Sequence, residues 1–205
     1  MPTDPSPWDP MPLSPGASEL FGRLHERRLS AHSLAVSNLT IGVCRTLGLD
    51  DAQTSAAARG ALFHDTGKLE IPVEMLERAG PLRPGEWELM RTHPERGERL
   101  VAGVGDVADV APVVRHHHER WDGGGYPDRL AGASIPLAAR IVFACDAFDA
   151  MTSPRPYRPT LSVPEALEEV RVGAGSQFDS VVAKALMRSV TTSPTPGRPN
   201  AVRPH

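Results

Sequence analysis

The chain has little cysteine and few aromatic residues. Cys44 and Cys145 are its only cysteines, and both lie in apolar stretches, so a disulfide framework is disfavoured and a reducing cytoplasm is the expected location. Phe, Trp and Tyr make up 5% of the residues, and Ala, Val and Leu dominate the apolar set. Closely packed helices suit such residues better than a sheet does. The composition predicts an all-α fold.

The sequence also lacks long apolar runs and a strong charge of one sign. No stretch approaches the ~18 apolar residues of a membrane span, and the first residues have neither the positive nor the apolar region of a signal peptide. The formal net charge is -3, which gives no broad basic field for a nucleic acid polymer or an anionic membrane. Any recognition of phosphate is therefore expected to be local.

The two ends differ in composition from the middle. Residues 1–17 and 191–205 are rich in Pro, Ser or Asp and are expected to be disordered, which leaves one folded domain over 18–190. Neither end has room for a sensor domain, so any input signal is expected to come from elsewhere. Apolar periodicity predicts a single compact helical bundle. Its helices are 19–28, 32–47, 52–63, 85–91, 95–101, 107–117, 137–151, 164–170 and 180–190.

Histidine and aspartate residues recur at separated points of this helical pattern. A single His-Asp doublet such as His64-Asp65 is commonly a structural pair, but Asp146 lies in an apolar segment where an unpaired carboxylate would be costly to bury. A cation would offset that cost. Imidazole and carboxylate ligands in this number suit two divalent ions, and they suit Fe, Mn, Co or Zn better than Mg or Ca. Fe or Mn is expected, with Asp65 bridging the two ions. The candidate metal ligands are His32, His64, Asp65, His93, His117, His118 and Asp146.

Five stretches resemble the HD-GYP phosphodiesterases, a branch of the HD superfamily whose members hydrolyse cyclic di-GMP. The resemblance runs from about Leu20 to Arg188 and implies a helical bundle of the HD-domain type. It also implies metal-ligand roles for the same seven residues and a two-ion site, since Arg28 stands where some members carry a glutamate that holds a third metal. The stretches are LFHDTGKLEIP (62–72), MRTHPERGERLV (90–101), HHHERWDGGGYPDRLAGASIP (116–136), ARIVFACDAFDAMTSPRPYR (139–158) and GAGSQFD (173–179).

The resemblance further assigns residues to catalysis and substrate binding. Asp65 and Lys68 would be catalytic, and Arg155 and Arg158 would hold substrate phosphates, because a lysine point charge and guanidinium forks stabilise phosphodiester oxygens. Tyr126 could stack on a guanine, dock a signalling partner such as a diguanylate cyclase, or pin its glycine-rich loop.

Three further expectations concern residues beside these motifs. Asp149 is expected to anchor Arg140 or the RPYR loop rather than bind metal. The apolar positions Trp87, Leu89 and Met90 are expected to belong to the core. His116 is expected to face away from the metals, because three successive helical residues cannot all point into one site.

Three functions remain open at this point. The first is a cyclic di-GMP phosphodiesterase whose first product is pGpG, with GMP following if a second turnover occurs. The second is a phosphohydrolase of the same superfamily that acts on 3′,3′-cGAMP or on nucleotides. The third is a non-catalytic module that binds cyclic di-GMP or docks a protein, although such a module has no need of a complete set of metal ligands.

Overall fold

The computed structural model describes residues 13–78, 80–154 and 160–192. These residues form ten α-helices with no β-strand among them, as the composition predicts. Short 3₁₀ helices lie at Thr66–Glu70, Ala108–Val110 and Gly132–Ser134. The α-helices are α1 Pro15–Glu26, α2 Ser30–Leu47, α3 Asp51–Phe63, α4 Val73–Glu77, α5 Pro84–Met90, α6 His93–Ala102, α7 Ala111–His116, α8 Leu137–Thr152, α9 Val163–Gly173 and α10 Ser180–Thr192.

Local sequence sets the ends of several helices. The side chain of Asp50 accepts a hydrogen bond from the backbone amide of Gln53, and Oε1 of Gln53 accepts one from the backbone amide of Asp50. This reciprocal pair satisfies free amides at the start of α3. Gly48 ends α2 with φ 74°, a left-handed conformation that favours glycine. The α2–α3 turn is therefore fixed by residues within it.

The larger apolar core lies between α2, α3, α8 and α10. Ala57 and Ala61 of α3 are buried in it with Val43 of α2, Ile141 of α8 and Leu186 of α10. Alanines let helix axes approach closely, because they add little volume at the contact. The polar residues on these helices thereby come within reach of one another.

A second core joins α1 to α6 and α7. Leu24 of α1 packs there with Phe63 at the end of α3, Val101 of α6 and Val114 of α7. Phe63 directly precedes His64, and Val114 lies three residues before His117. This core thus holds the segments that carry the histidines.

The helix boundaries differ from the sequence prediction by up to four residues at several helix ends. α1 begins at Pro15, capped by Ser14, which places residues 15–17 in a helix rather than in the segment expected to be disordered. α6 begins at His93 rather than at residue 95, and the short α4 was not predicted because five residues are too few for a periodic signal. Residues 1–12 and 193–205 lie outside the described residues. Across the described ranges, no helix is both long and apolar enough to cross a membrane.

Candidate metal centre

The His64-Asp65 doublet lies where α3 ends. α3 ends at Phe63, and a 3₁₀ helix starts at Thr66, so the doublet sits at the bend between two helical segments. Both side chains are buried. The chain thus turns within the core and presents an imidazole and a carboxylate from consecutive residues.

Three buried histidines each make the same kind of local hydrogen bond. Each Nδ1 lies 2.6 to 2.8 Å from the backbone carbonyl three residues earlier, and it must be protonated to donate there. The Nε2 atom then carries the ring's free lone pair, as in histidines that bind metals. The pairs are His64 with Ala61, His93 with Met90, and His117 with Val114.

These free lone pairs converge on the same buried space. The Nε2 atoms of His93 and His117 lie 3.2 Å apart, and with both Nδ1 atoms protonated neither Nε2 can donate to the other. Nε2 of His64 is buried and has no hydrogen-bond partner. A cation bound by these nitrogens would satisfy all three acceptors. The residues present therefore fit a metal ion.

Burial keeps His93, His117 and His118 neutral, as metal binding requires. Burial lowers the pKa of His93 to about 3 and that of His118 to about 4. Burial also holds the pKa of His117 well below its usual value. For Asp65 burial alone would raise the pKa, but Lys68 and the neighbouring imidazoles hold it well below the usual range. Three neutral imidazoles thus lie beside a carboxylate anion.

Asp65 lies at the middle of the cluster. Its Oδ1 is 3.5 Å from Nε2 of His93, and its Oδ2 is 3.5 Å from Nε2 of His64 and 3.9 Å from Nε2 of His32. The two carboxylate oxygens therefore face different histidines. This placement suits a carboxylate that bridges two ions.

The other side of the cluster is formed by α2 and α8. Nε2 of His32 lies 3.0 Å from Oδ1 of Asp146, and its Nδ1 lies 2.6 Å from Oδ2 of Asp149. Burial alone would lower the pKa of His32, but the hydrogen bonds to Asp146 and Asp149 raise it to about 9. A metal ion at His32 would therefore compete with a proton for Nε2.

The structure brings all seven sequence-predicted ligands together. Their ligand atoms form three overlapping groups, each within 4.8 Å. α7 ends at His116, which lets the rings of His117 and His118 lie 4.1 Å apart, as predicted for a helix that terminates there. The groups are His93, His117 and His118; His32, His64 and Asp146; and His64, Asp65 and His117.

Asp149 has a different partner from the one predicted. Anchoring of Arg140 was the wrong alternative, because Arg140 pairs with Asp179 while Asp149 binds His32 and accepts from Ser153 Oγ at 3.0 Å. The other alternative, the RPYR loop at 155–158, lies outside the described residues. Asp149 lies three residues after Asp146 on α8, so both carboxylates share one helix face. From the sequence, that spacing was the only indication that both carboxylates could contact the same histidine.

Replacement of Asp149 by Ala is expected to weaken metal binding about 10- to 100-fold, because His32 would lose the carboxylate that orients its ring. Competition of the Mn(II)-loaded variant against a chromophoric chelator measures this affinity. Glu168→Ala on α9, which removes an exposed carboxylate paired with Arg171, is the matched control. An Asp149→Ala affinity equal to that of the control would contradict the orienting role.

Lys68 and His116 also have defined partners. Nζ of Lys68 lies 2.7 Å from Oδ2 of Asp65, at the side of the carboxylate that faces His64. His116 points away from the cluster, as predicted, and its Nε2 lies 2.9 Å from Asp128. Lys68 is thus the cation nearest to Asp65, the central carboxylate of the cluster.

The Gly-Tyr-Pro loop packs directly on the metal centre. The ring of Tyr126 stacks on ligand His118, with centroids 4.9 Å apart, and the Tyr126 amide donates to the His118 carbonyl at 3.2 Å. A side chain at Gly125 would place its Cβ 2.4 Å from the Arg120 amide nitrogen, so only glycine allows this approach. These contacts match the expectation that Tyr126 pins its loop. Arg155 and Arg158, predicted to bind phosphate, lie outside the described residues.

An open cleft of about 300 Å³ lies beside His118. It is bounded by α5, the Gly-Tyr-Pro loop and α8. Trp87 lines it and is 52% exposed, so the prediction that Trp87 is a core residue was wrong. Apolar periodicity marks a helix face but does not show whether another element covers it. The residues around the cleft are Trp87, Arg91, His118, Arg120, Gly124, Gly125, Tyr126 and Phe143.

Comparison with known proteins identifies one family and several similar phosphodiesterases. A family model described as HD domain matches residues 19–182. The chain is 40% identical over 164 residues to a cyclic di-GMP phosphodiesterase of Pseudomonas aeruginosa, covering 80% of this chain and 39% of that protein. It is 30% identical over 177 residues to 3'3'-cGAMP-specific phosphodiesterase 3 of Vibrio cholerae, covering 85% of this chain and 38% of that protein. The chain therefore spans about two fifths of these relatives.

A solved structure shows the same fold. An HDG"Y"P protein of Bdellovibrio bacteriovorus superposes with a TM-score of 0.64 at 22% identity, covering 79% of this chain and 52% of that one. The family match spans the doublet and all seven clustered ligands, which lie between residues 32 and 146. The chain belongs to the HD domain family.

Proposed function

We propose that this chain is a metal-dependent phosphodiesterase that hydrolyses cyclic di-GMP to pGpG. The observation that carries the proposal is the convergence of the seven candidate ligands beside an open cleft, with Nε2 of His64 unpartnered and the Nε2 atoms of His93 and His117 facing each other. The names of the relatives support the substrate class, since they are phosphodiesterases of cyclic di-GMP or 3'3'-cGAMP. Onward cleavage to GMP would be a second turnover of the same chemistry.

The proposed cofactor is a pair of divalent ions, Fe or Mn. Imidazole nitrogens together with carboxylate oxygens suit these ions better than Mg or Ca, which prefer oxygen ligands. When bound, such ions supply an activated water and neutralise charge on the phosphodiester. His93, His117 and His118 would hold one ion and His32, His64 and Asp146 the other, and Asp65 would face both.

The chain's own residues would position the substrate and balance its charge. Lys68 Nζ, 2.7 Å from Asp65, is placed to stabilise an anionic phosphate oxygen next to the metal ligands. Arg155 and Arg158, which follow α8 in the sequence, are proposed to bind the phosphates. Docking of a diguanylate cyclase on the Gly-Tyr-Pro loop and a cytoplasmic location stay predictions from the sequence.

Lys68→Ala is expected to lower kcat about 10- to 100-fold and to leave the metal content unchanged, because Lys68 contributes charge near the reacting phosphate but no metal ligand. Steady-state kinetics combined with elemental analysis measures both quantities. Lys184→Ala on α10, away from the cluster, removes the same charge as a control. Unchanged kcat in Lys68→Ala would remove this residue from catalysis.

The direct test of the proposed function uses protein purified without oxygen. Metal content is measured by elemental analysis, and hydrolysis of cyclic di-GMP, 3'3'-cGAMP and a dNTP is followed with Mn(II) or Fe(II). Turnover of cyclic di-GMP to pGpG supports the proposal. Turnover of 3'3'-cGAMP alone would favour the second candidate function, a 3'3'-cGAMP phosphodiesterase. The similarity to the Vibrio cholerae relative is the observation that favours this candidate. Two bound metals without any hydrolysis would refute an enzymatic role.

A further inference from the structure

Arg91 is a cation in the cleft that no described carboxylate neutralises. Its guanidinium lies over the ring of Tyr126, with Cζ 4.6 Å from the centroid, and the described residues supply it with no ion-pair partner. The other arginine of the cleft, Arg120, is held by Asp122 at 2.6 Å. The donor fork of Arg91 is therefore available to a ligand, whereas that of Arg120 is occupied.

The position of Arg91 is fixed relative to the metal centre. The Tyr126 ring beneath its guanidinium also stacks on ligand His118. Stacking on an aromatic face orients the plane of a guanidinium and leaves its N–H groups free at the edges. A molecule that reaches the ions through this cleft would therefore meet an oriented donor fork.

Trp87 lies on the same face of the chain as Arg91. The Arg91 amide donates to the Trp87 carbonyl at 2.9 Å, the helical bond between residues four apart, and side chains at this spacing are neighbours. The indole is half exposed at the cleft. Large aromatic side chains exposed beside a basic group provide stacking surfaces for nucleic acid bases.

We propose that Trp87 and Arg91 form a guanine-binding site for one base of the cyclic dinucleotide. Trp87 stacks on the purine, and the guanidinium of Arg91 donates two hydrogen bonds to the O6 and N7 acceptors of guanine. Adenine offers N7 but carries an amino donor in place of O6, so the same fork disfavours it. This inference rests on the proposed function and adds to it a means of selecting guanine-containing substrates.

The test compares binding of hydrolysis-resistant phosphorothioate analogues of cyclic di-GMP and cyclic di-AMP to the holoprotein by calorimetry. Arg91→Ala should weaken binding of the cyclic di-GMP analogue about 5- to 100-fold, the range for losing a bidentate base contact. Binding of the cyclic di-AMP analogue should change less than about threefold, since adenine makes at most one bond to this fork. Arg91→Lys should resemble Arg91→Ala, because a lysine retains the charge but has no fork. Trp87→Ala should weaken binding of both analogues, because stacking does not distinguish purines.

The matched control is Arg99→Ala, which removes an equally basic side chain that is 65% exposed and pairs with Glu70. It should bind both analogues as the unaltered protein does. Equal affinity of Arg91→Ala and Arg99→Ala for the cyclic di-GMP analogue, or full recovery in Arg91→Lys, would overturn the guanine site.

A substrate without a base separates this inference from the proposed function. Bis(4-nitrophenyl) phosphate is a phosphodiester without a nucleobase, and Arg91→Ala should lower its kcat/KM by a smaller factor than it lowers binding of the cyclic di-GMP analogue. If the unaltered protein hydrolyses neither this compound nor cyclic di-GMP, the proposed function fails while the binding comparison still decides the guanine site. A loss of bis(4-nitrophenyl) phosphate turnover in Arg91→Ala as large as the loss of analogue binding would overturn base recognition.

Discussion

Asp65→Ala should strip the metal from the protein and lower kcat/KM by about a thousandfold or more, because the residue is expected to serve both ions and the reacting phosphate depends on both. The carboxylate oxygens face His93 on one side and His64 and His32 on the other. No other described carboxylate has this central position, since Asp146 contacts only the His32 side. Elemental analysis and steady-state kinetics on the purified variant measure the two effects.

The fold should survive this replacement. Asp65 belongs to the polar cluster and not to either apolar core, and Lys68, which loses its partner, is partly exposed and can reach water. The far-ultraviolet circular dichroism of Asp65→Ala should therefore equal that of the unaltered protein. Asp109→Ala, which breaks an exposed pair with Arg59, is the control and should keep both metal and activity. Retention of two metals and full activity in Asp65→Ala would refute the bridging assignment.

The choice of the seven candidate ligands has a physical basis in the sequence, and the structure brings their side chains together. Ligand residue types are few, and a carboxylate such as Asp146 inside an apolar helix is too costly to bury without a partner. The doublet at the end of α3 and the paired histidines at the end of α7 lie where helices stop. Local sequence patterns are therefore enough to identify these positions. Their convergence depends on helix packing, which the alanines of α3 allow but do not specify by themselves.

The hydrogen bonds that orient the ligands could not be predicted in the same way. The proton on Nδ1 of His64, His93 and His117 is fixed by backbone carbonyls, and every residue has a carbonyl, so no residue type signals this contact. For Trp87 the residue type gave a signal, but the signal was misleading. Its apolar character predicts burial, but the space above it is a cleft because no described element covers that side of α5.

Gly67 shows how a residue with no functional group determines the geometry of the centre. It lies in the 3₁₀ helix that follows the doublet, where this segment packs on α6. A Cβ there would lie 1.8 Å from the carbonyl oxygen of His93 and 2.6 Å from the amide nitrogen of Gly97. Both obstacles are backbone atoms, which cannot move aside as a flexible side chain can. The glycine is therefore what allows Asp65 and His93 to approach each other.

Gly67→Ala should consequently destabilise the fold by at least about 3 kcal/mol, because the two segments must separate. It should also weaken metal binding, since Asp65 would move away from His93. Urea unfolding followed by circular dichroism measures the first effect, and chelator competition measures the second. Gly22→Ala is the matched control: it makes the same substitution inside α1, where an added Cβ meets nothing within 4 Å.

The control should change in the opposite direction. Alanine in a helix interior is favoured over glycine by about 0.5 to 1 kcal/mol, so Gly22→Ala should raise the free energy of unfolding by about that amount. The sign of the difference between the two variants then isolates the close contact from helix propensity, which favours alanine at both positions. A Gly67→Ala protein as stable as the unaltered one would show that the 3₁₀ segment can move off α6 at little cost, and that the approach of Asp65 to His93 does not depend on this contact.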